Sequence, residues 1–122
     1  NKLYVDEKYA AKTKYKGIIA PPTYPVCFAG PLEIGKQPPP LLVKIGLDAK
    51  INPGLMVHGE QEFEYFAPVR PGDEITTIPK IANVEHKPRK DGSLRGIVTI
   101  EVTSKNQKGE KVVVSRVLLI ER

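Results

Sequence analysis

The residues best suited to chemistry lie between positions 55 and 73, in "LMVHGEQEFEYFAPVRPGD". His58 stands there beside Glu60, Glu62 and Glu64. An imidazole titrates near neutral pH, and a neighbouring carboxylate can orient it, so this set could move protons. The same spacing has a plainer meaning. Residues two apart share one face of a strand, so the glutamates would form the wet side of a half-buried sheet. Buried unpaired carboxylates would be costly there. His58 would then be a structural histidine held by a backbone carbonyl or a cross-strand carboxylate. Elsewhere, Cys27 sits in an apolar stretch, where a thiol behaves as a small hydrophobe. His86 sits among lysines and reads as a solvated surface residue. The chain has no glycine-rich phosphate loop and no pair of histidines at metal spacing.

The elements that must position these residues follow from length and pattern. With 122 residues the chain forms one domain, residues 1–122. Such a domain buries roughly two thirds of the surface its unfolded chain exposes. One cysteine excludes an internal disulfide and points to a reducing, cytoplasmic setting. No apolar run reaches the length of a membrane span, and no signal-peptide pattern opens the chain. The net charge of +5 is spread over most segments, with small clusters at Lys8–Lys16 and Lys87–Arg89–Lys90. That describes a solvated surface more than a nucleic-acid face, which needs gathered charge and aromatic platforms. An anionic ligand such as a coenzyme phosphate is the weaker alternative.

Residues 5–16 are expected to form a short helix, with Asp6 and Glu7 at its start and Gly17 at its stop. Thr23 could cap a second helix over "YPVCFAG", nearly all apolar and therefore buried. Gly30-Pro31 would end it, and residues 35–40, "GKQPPP", form a loop. "LLVKIGLDAK" fits a short helix closed near Gly46 better than a strand. From residue 55 the period becomes two. Gln61, Phe63 and Tyr65 share one face of the first strand. Residues 73–85 give the next strand, with Pro79 at an edge or bulge. Asp91-Gly92 turns the chain into a third, placing Leu94, Gly96, Val98, Ile100 and Val102 inward. "KVVVSRVLLIER" has the nearly continuous aliphatic content of a central strand. The expected class is α+β: an antiparallel meander wrapped around a buried helix, the shape called a hot dog.

Three stretches carry a family resemblance. "NKLYVDEKYAAKTKYKGIIAPPTY" resembles "D-x-N-P-L-[HY]-x-D-E-x-x-A … G … I-A-P-P-T-F". "LDAKINPGLMVHGEQEFEY" resembles "G-L-D … L-H-G-E-Q-E-F-x-Y", and "FAPVRPGDEI" resembles "R-P-V-R-x-G-D". All three patterns are those of MaoC-like dehydratases and hydratases, and the chain most resembles the degenerate N-terminal hot-dog domain of two-domain and paired-subunit members. The match covers most of residues 1–74.

The resemblance implies chemistry on trans-2-enoyl or (R)-3-hydroxyacyl thioesters. Active members use an Asp and a His to hold water and move a proton, and a backbone N–H to polarise the thioester carbonyl. Carried over, the family Asn falls on Asn1, the Pro on Lys2 and the catalytic His on Tyr4. The Asp would lie before Asn1, and the family's first strand and preceding helix are expected to be missing. The "H-G" that supplies the amide donor falls on Pro21-Pro22, and proline has no N–H. The pattern implies an accessory half, with no catalytic residue assigned. Tyr24, Cys27, Phe28 and His58 are its candidate substrate-binding residues; Phe63 and Tyr65 are candidates for core or pocket wall. No cofactor is expected beyond the CoA or acyl-carrier phosphopantetheine on the substrate, and the expected partner is a second hot-dog domain, as homodimer or heterodimer. Two readings stay open beside it: a self-sufficient homodimeric hydratase or thioesterase using His58, and a basic, non-enzymatic binding module.

Overall fold

Four strands make one antiparallel sheet: β1 (Met56–Tyr65), β2 (Thr76–Pro88), β3 (Leu94–Lys105) and β4 (Lys111–Glu121). The computed structural model of the chain describes residues 1–28 and 40–122, and for residues 40–42 the backbone alone. The strand order is β1-β4-β3-β2. Hairpins join β2 to β3 and β3 to β4, but β1 pairs with β4 and not with β2. The sheet is therefore not the simple meander expected from the sequence. Residues 66–75 carry the chain from one edge to the other, a connection that alternation within strands does not reveal. β4 is central, as its aliphatic run implies, and Val112, Val113, Val114 and Ser115 are all buried.

Two helices are described: the single turn α1 (Glu7–Ala10) and the longer α2 (Pro40–Ala49). The inner face of the sheet packs on α2 and the chain just after it. Ile45, Ala49 and Ile51 meet Val98, Ile100, Val102, Val117 and Leu119 in one core cluster. Gly96 permits this approach. A β-carbon there would fall 2.5 Å from Ile51 Cδ1, a distance no packed side chain tolerates.

The helix under the sheet is thus not the one expected. Over its described residues, 24–28, "YPVCF" does not form it: Tyr24–Cys27 is a single 3₁₀ turn. An α-helical ladder would need Pro25 to donate to the Pro21 carbonyl, and proline cannot. The Tyr24 amide takes that carbonyl instead, at 2.9 Å, and Phe28 donates to the Pro25 carbonyl at 3.1 Å. Within the turn Pro25 is buried, while Tyr24, Val26 and Cys27 are exposed. Cys27 is therefore not the buried hydrophobe that its apolar neighbours imply. The expected ending at Gly30-Pro31 and the loop at 35–40 lie outside the described residues, apart from Pro40, which opens α2.

α2 runs through Gly46 and stops three residues later, at Ala49. Ile51 N donates to the Gly46 carbonyl at 2.8 Å, and Lys50 N to the Leu47 carbonyl at 3.2 Å. Lys50 sits between them with φ of 56°, the left-handed cap usually taken by glycine. The helix expected over residues 5–16 is only the one turn of α1. Asp6 caps it, accepting from Tyr9 N at 3.0 Å. Thr13 then breaks the ladder, its hydroxyl donating to the Ala10 carbonyl at 2.7 Å while accepting from Tyr15 N.

β2 is an edge strand along its whole length, with Pro79 in it and a bulge between Ile81 and Asn83. Its start shifts from residue 73 to Thr76 because Asp73 serves the preceding turn. On the outer face of the sheet, Arg116 Nε donates to Glu101 at 2.9 Å, and its other nitrogens reach Glu62 at 3.2 Å and Glu64 at 3.3 Å. Lys80 lies 2.8 Å from Glu101. Of the alternating glutamates, Glu62 and Glu64 are therefore partners of a cross-strand arginine. No helix among the described residues is long and apolar enough to cross a membrane.

Candidate functional site

The N-terminal segment returns to the β1–β2 connection and builds a cleft against it. Asn1 caps the first 3₁₀ turn (Lys2–Tyr4) by accepting from Leu3 N at 3.0 Å, which sets the direction of Tyr4. Residues 18–21 then run beside Val69, and Ala20 N donates to the Val69 carbonyl at 2.8 Å. The chain next turns at Arg70-Pro71-Gly72-Asp73. Asp73 accepts from Arg70 N at 2.8 Å and from the Gln107 side chain at 3.1 Å. Gly72 has φ of 84°, which a β-carbon would strain. Arg70 donates to the Tyr15 carbonyl at 2.5 Å, tying the turn back to the N-terminal segment.

The cleft holds about 470 Å³. Tyr4, Pro21, Tyr24, Phe28, Arg70 and Asp73 are among the residues that line it. Tyr4 and Pro21, far apart in sequence, thus meet in one cavity. Phe28 also packs on the core cluster, so the cleft wall is braced by the sheet. The Tyr24 and Phe28 rings meet edge to face with centroids 6.2 Å apart.

A second cavity of about 380 Å³ adjoins the first. Tyr15, Pro25, Tyr65, Phe66 and Pro68 contribute to its lining, and none of its lining residues is charged. The Tyr65 hydroxyl donates to the Pro22 carbonyl across it. Burial raises the Tyr65 phenol above its ordinary pKa, so it stays a hydrogen-bond donor at neutral pH. Phe63 is half-buried beside Tyr65, with ring centroids 6.1 Å apart.

The remaining sequence candidates fall elsewhere. His58 is exposed on β1, opposite Leu119 and beside a bulge between His58 and Glu60. It lines neither cavity. Cys27 lines neither cavity, and Asn1 acts through its cap on the turn that carries Tyr4. Sequence reasoning missed Ile19, Ala20 and Val69, which line both cavities. Their small and aliphatic side chains carry no chemical signal. Only the run "IIAPP" beside "APV" hinted at a paired wall.

Known proteins share this fold. The sequence profile of the FAS1-like, dehydratase domain region matches residues 1–115. A UPF0336 protein of Streptomyces avermitilis is 30% identical over 126 aligned residues, spanning 100% of this chain and 73% of its own. Among solved structures, the C-terminally truncated HadBC (3R-hydroxyacyl-ACP dehydratase) complex of Mycobacterium tuberculosis superposes with a TM-score of 0.72 at 20% identity. It spans 98% of this chain and 74% of the other. The (R)-hydratase of A. caviae involved in PHA biosynthesis superposes with a TM-score of 0.57 at 21% identity, over 98% of this chain and 74% of the other. On the profile match and the sequence relative, with the fold seen in these neighbours, the chain belongs to the FAS1-like dehydratase-domain-region family and has the hot-dog fold of MaoC-like dehydratases.

Proposed function

We propose that this chain is the acyl-thioester-binding, accessory half of an (R)-specific enoyl-thioester hydratase or 3-hydroxyacyl-thioester dehydratase. It works beside a second hot-dog domain that supplies the Asp and His. One observation carries the reading: Tyr4 and Pro21 line the same cleft at the two positions where the chemistry would sit. A phenol is a poor base at neutral pH, and a proline nitrogen cannot donate to an enolate oxygen. What the cleft keeps is shape. Tyr24 and Phe28 give it an aromatic wall, and the uncharged cavity next to it suits an aliphatic tail.

The thioester's CoA or carrier-bound phosphopantetheine belongs to the substrate, and the chain needs no cofactor of its own. HadBC is itself a complex, which supports a hot-dog partner for this chain as well. A single cysteine, exposed at residue 27, fits a reducing cytoplasmic setting. The test is hydration of crotonyl-CoA by this chain alone and with a domain carrying "D-x-N-P-x-H". Activity that requires both chains supports the accessory role, and robust turnover by this chain alone overturns it.

A further inference from the structure

The two cavities meet at shared lining residues. Ile19, Ala20, Pro21 and Val69 line both, all four are half-buried, and the Ala20–Val69 hydrogen bond holds the two segments that carry them together. The cavities differ in character. The larger has Tyr4, Arg70 and Asp73 in its lining, which suits the polar thioester end of a ligand. The smaller is lined by prolines, aromatic rings and aliphatic side chains, with no charge. A tail growing out of the first cavity therefore meets Ile19 and Val69 before it can enter the second.

We propose that Ile19 and Val69 set the acyl-chain length that this domain accepts, acting as a partition between a head cleft and a tail pocket. This rests on the acyl-thioester reading above. Short acyl chains fill only the first cavity. Longer ones gain from the second only if the partition gives way or is trimmed. Each methylene that finds apolar surroundings improves affinity about fourfold. Affinity should therefore climb with chain length and then level off where the tail reaches the wall.

The experiment is a binding series with butyryl-, hexanoyl-, octanoyl- and decanoyl-CoA. It uses the chain alone and with its catalytic partner domain, in the wild type and in Ile19→Ala, Val69→Ala and Ala20→Leu. Trimming the wall should raise the preference for decanoyl-CoA over butyryl-CoA by about tenfold. Ala20→Leu thickens the wall and should move the plateau to shorter chains, giving a second readout if a trimmed variant folds poorly. Length profiles parallel to wild type in all three variants would overturn the partition while leaving the thioester reading intact. No binding of any acyl-CoA by the wild type, with or without the partner, would remove both.

Discussion

The Ala20 amide donates to the Val69 carbonyl at 2.8 Å, joining the N-terminal segment to the β1–β2 connection where neither belongs to a strand. This bond, with Arg70 to the Tyr15 carbonyl, makes the cleft one unit with the sheet. Pro21 is held one residue beyond it, and Tyr4 faces the same cavity. The cleft is therefore held by bonds to main-chain carbonyls, and changing lining side chains that make no such bond should alter chemistry more than fold.

Tyr4→His tests that separation. The substitution returns an imidazole to the family's base position. It should leave crotonyl-CoA hydration at background, because Pro21 and Pro22 still offer no amide donor. Loss of one such donor costs roughly a hundred- to a thousandfold in turnover where it has been measured. Hydratase activity in Tyr4→His approaching that of a complete enzyme would show that the donor comes from elsewhere.

His58→Ala should leave acyl-thioester binding and partnered turnover within about twofold of wild type. The residue is exposed on β1 and lines neither cavity, and surface changes of this kind usually stay within about 0.5 kcal/mol. Loss of turnover at an unchanged melting temperature would restore His58 as a catalytic candidate.

Much of the fold was legible because periodicity reports it directly. The strands from β1 to β4, the Asp91-Gly92 hairpin and the centrality of β4 all follow from alternation and β-branched content. The identity of the inner helix was not legible. "YPVCFAG" and "LLVKIGLDAK" are both apolar, and the difference lies in Pro25, whose missing N–H shortens the first to a 3₁₀ turn. The β1–β4 pairing was hidden for another reason, since register between distant strands leaves no local trace. At the site, Tyr4 and Pro21 were found because they depart from a motif. Ile19, Ala20 and Val69 depart from nothing, and only their meeting in space marks them.

Gly96→Ala should destabilise the fold by about 1–3 kcal/mol, since the new methyl group would overlap Ile51. Combining it with Ile51→Ala should recover part of the loss attributable to overlap, which a double-mutant cycle in urea would read. An undiminished loss in the double variant would mean that Gly96 matters for its backbone alone.

Lys50→Gly should stabilise the chain by about 0.5–1 kcal/mol. Lys50 ends α2 with φ of 56°, a conformation that costs a side-chain-bearing residue roughly 1–2 kcal/mol. Part of that gain is offset by the greater freedom of glycine in the unfolded chain. A lowered midpoint of chemical denaturation would contradict the cap.

Stability should fall in acid partly through Glu121. Its carboxylate accepts from Asn52 N and Gly96 N, both at 3.1 Å, and these bonds hold its pKa below the ordinary glutamate value. A carboxyl group whose folded pKa is depressed contributes stability above its unfolded pKa, about 4.3, and loses it as pH falls through the folded pKa. Glu121→Gln should therefore flatten the stability profile below about pH 4.5. An unchanged slope would mean that other carboxylates carry the acid response.

Under the proposed function, this chain binds and shapes the acyl thioester while a partner domain moves the proton. The most direct measurement is crotonyl-CoA hydration by the purified chain, by a hot-dog domain carrying "D-x-N-P-x-H", and by the two together. Background turnover is expected from this chain alone, and full activity only from the mixture. Robust turnover by this chain without a partner would contradict the proposed function.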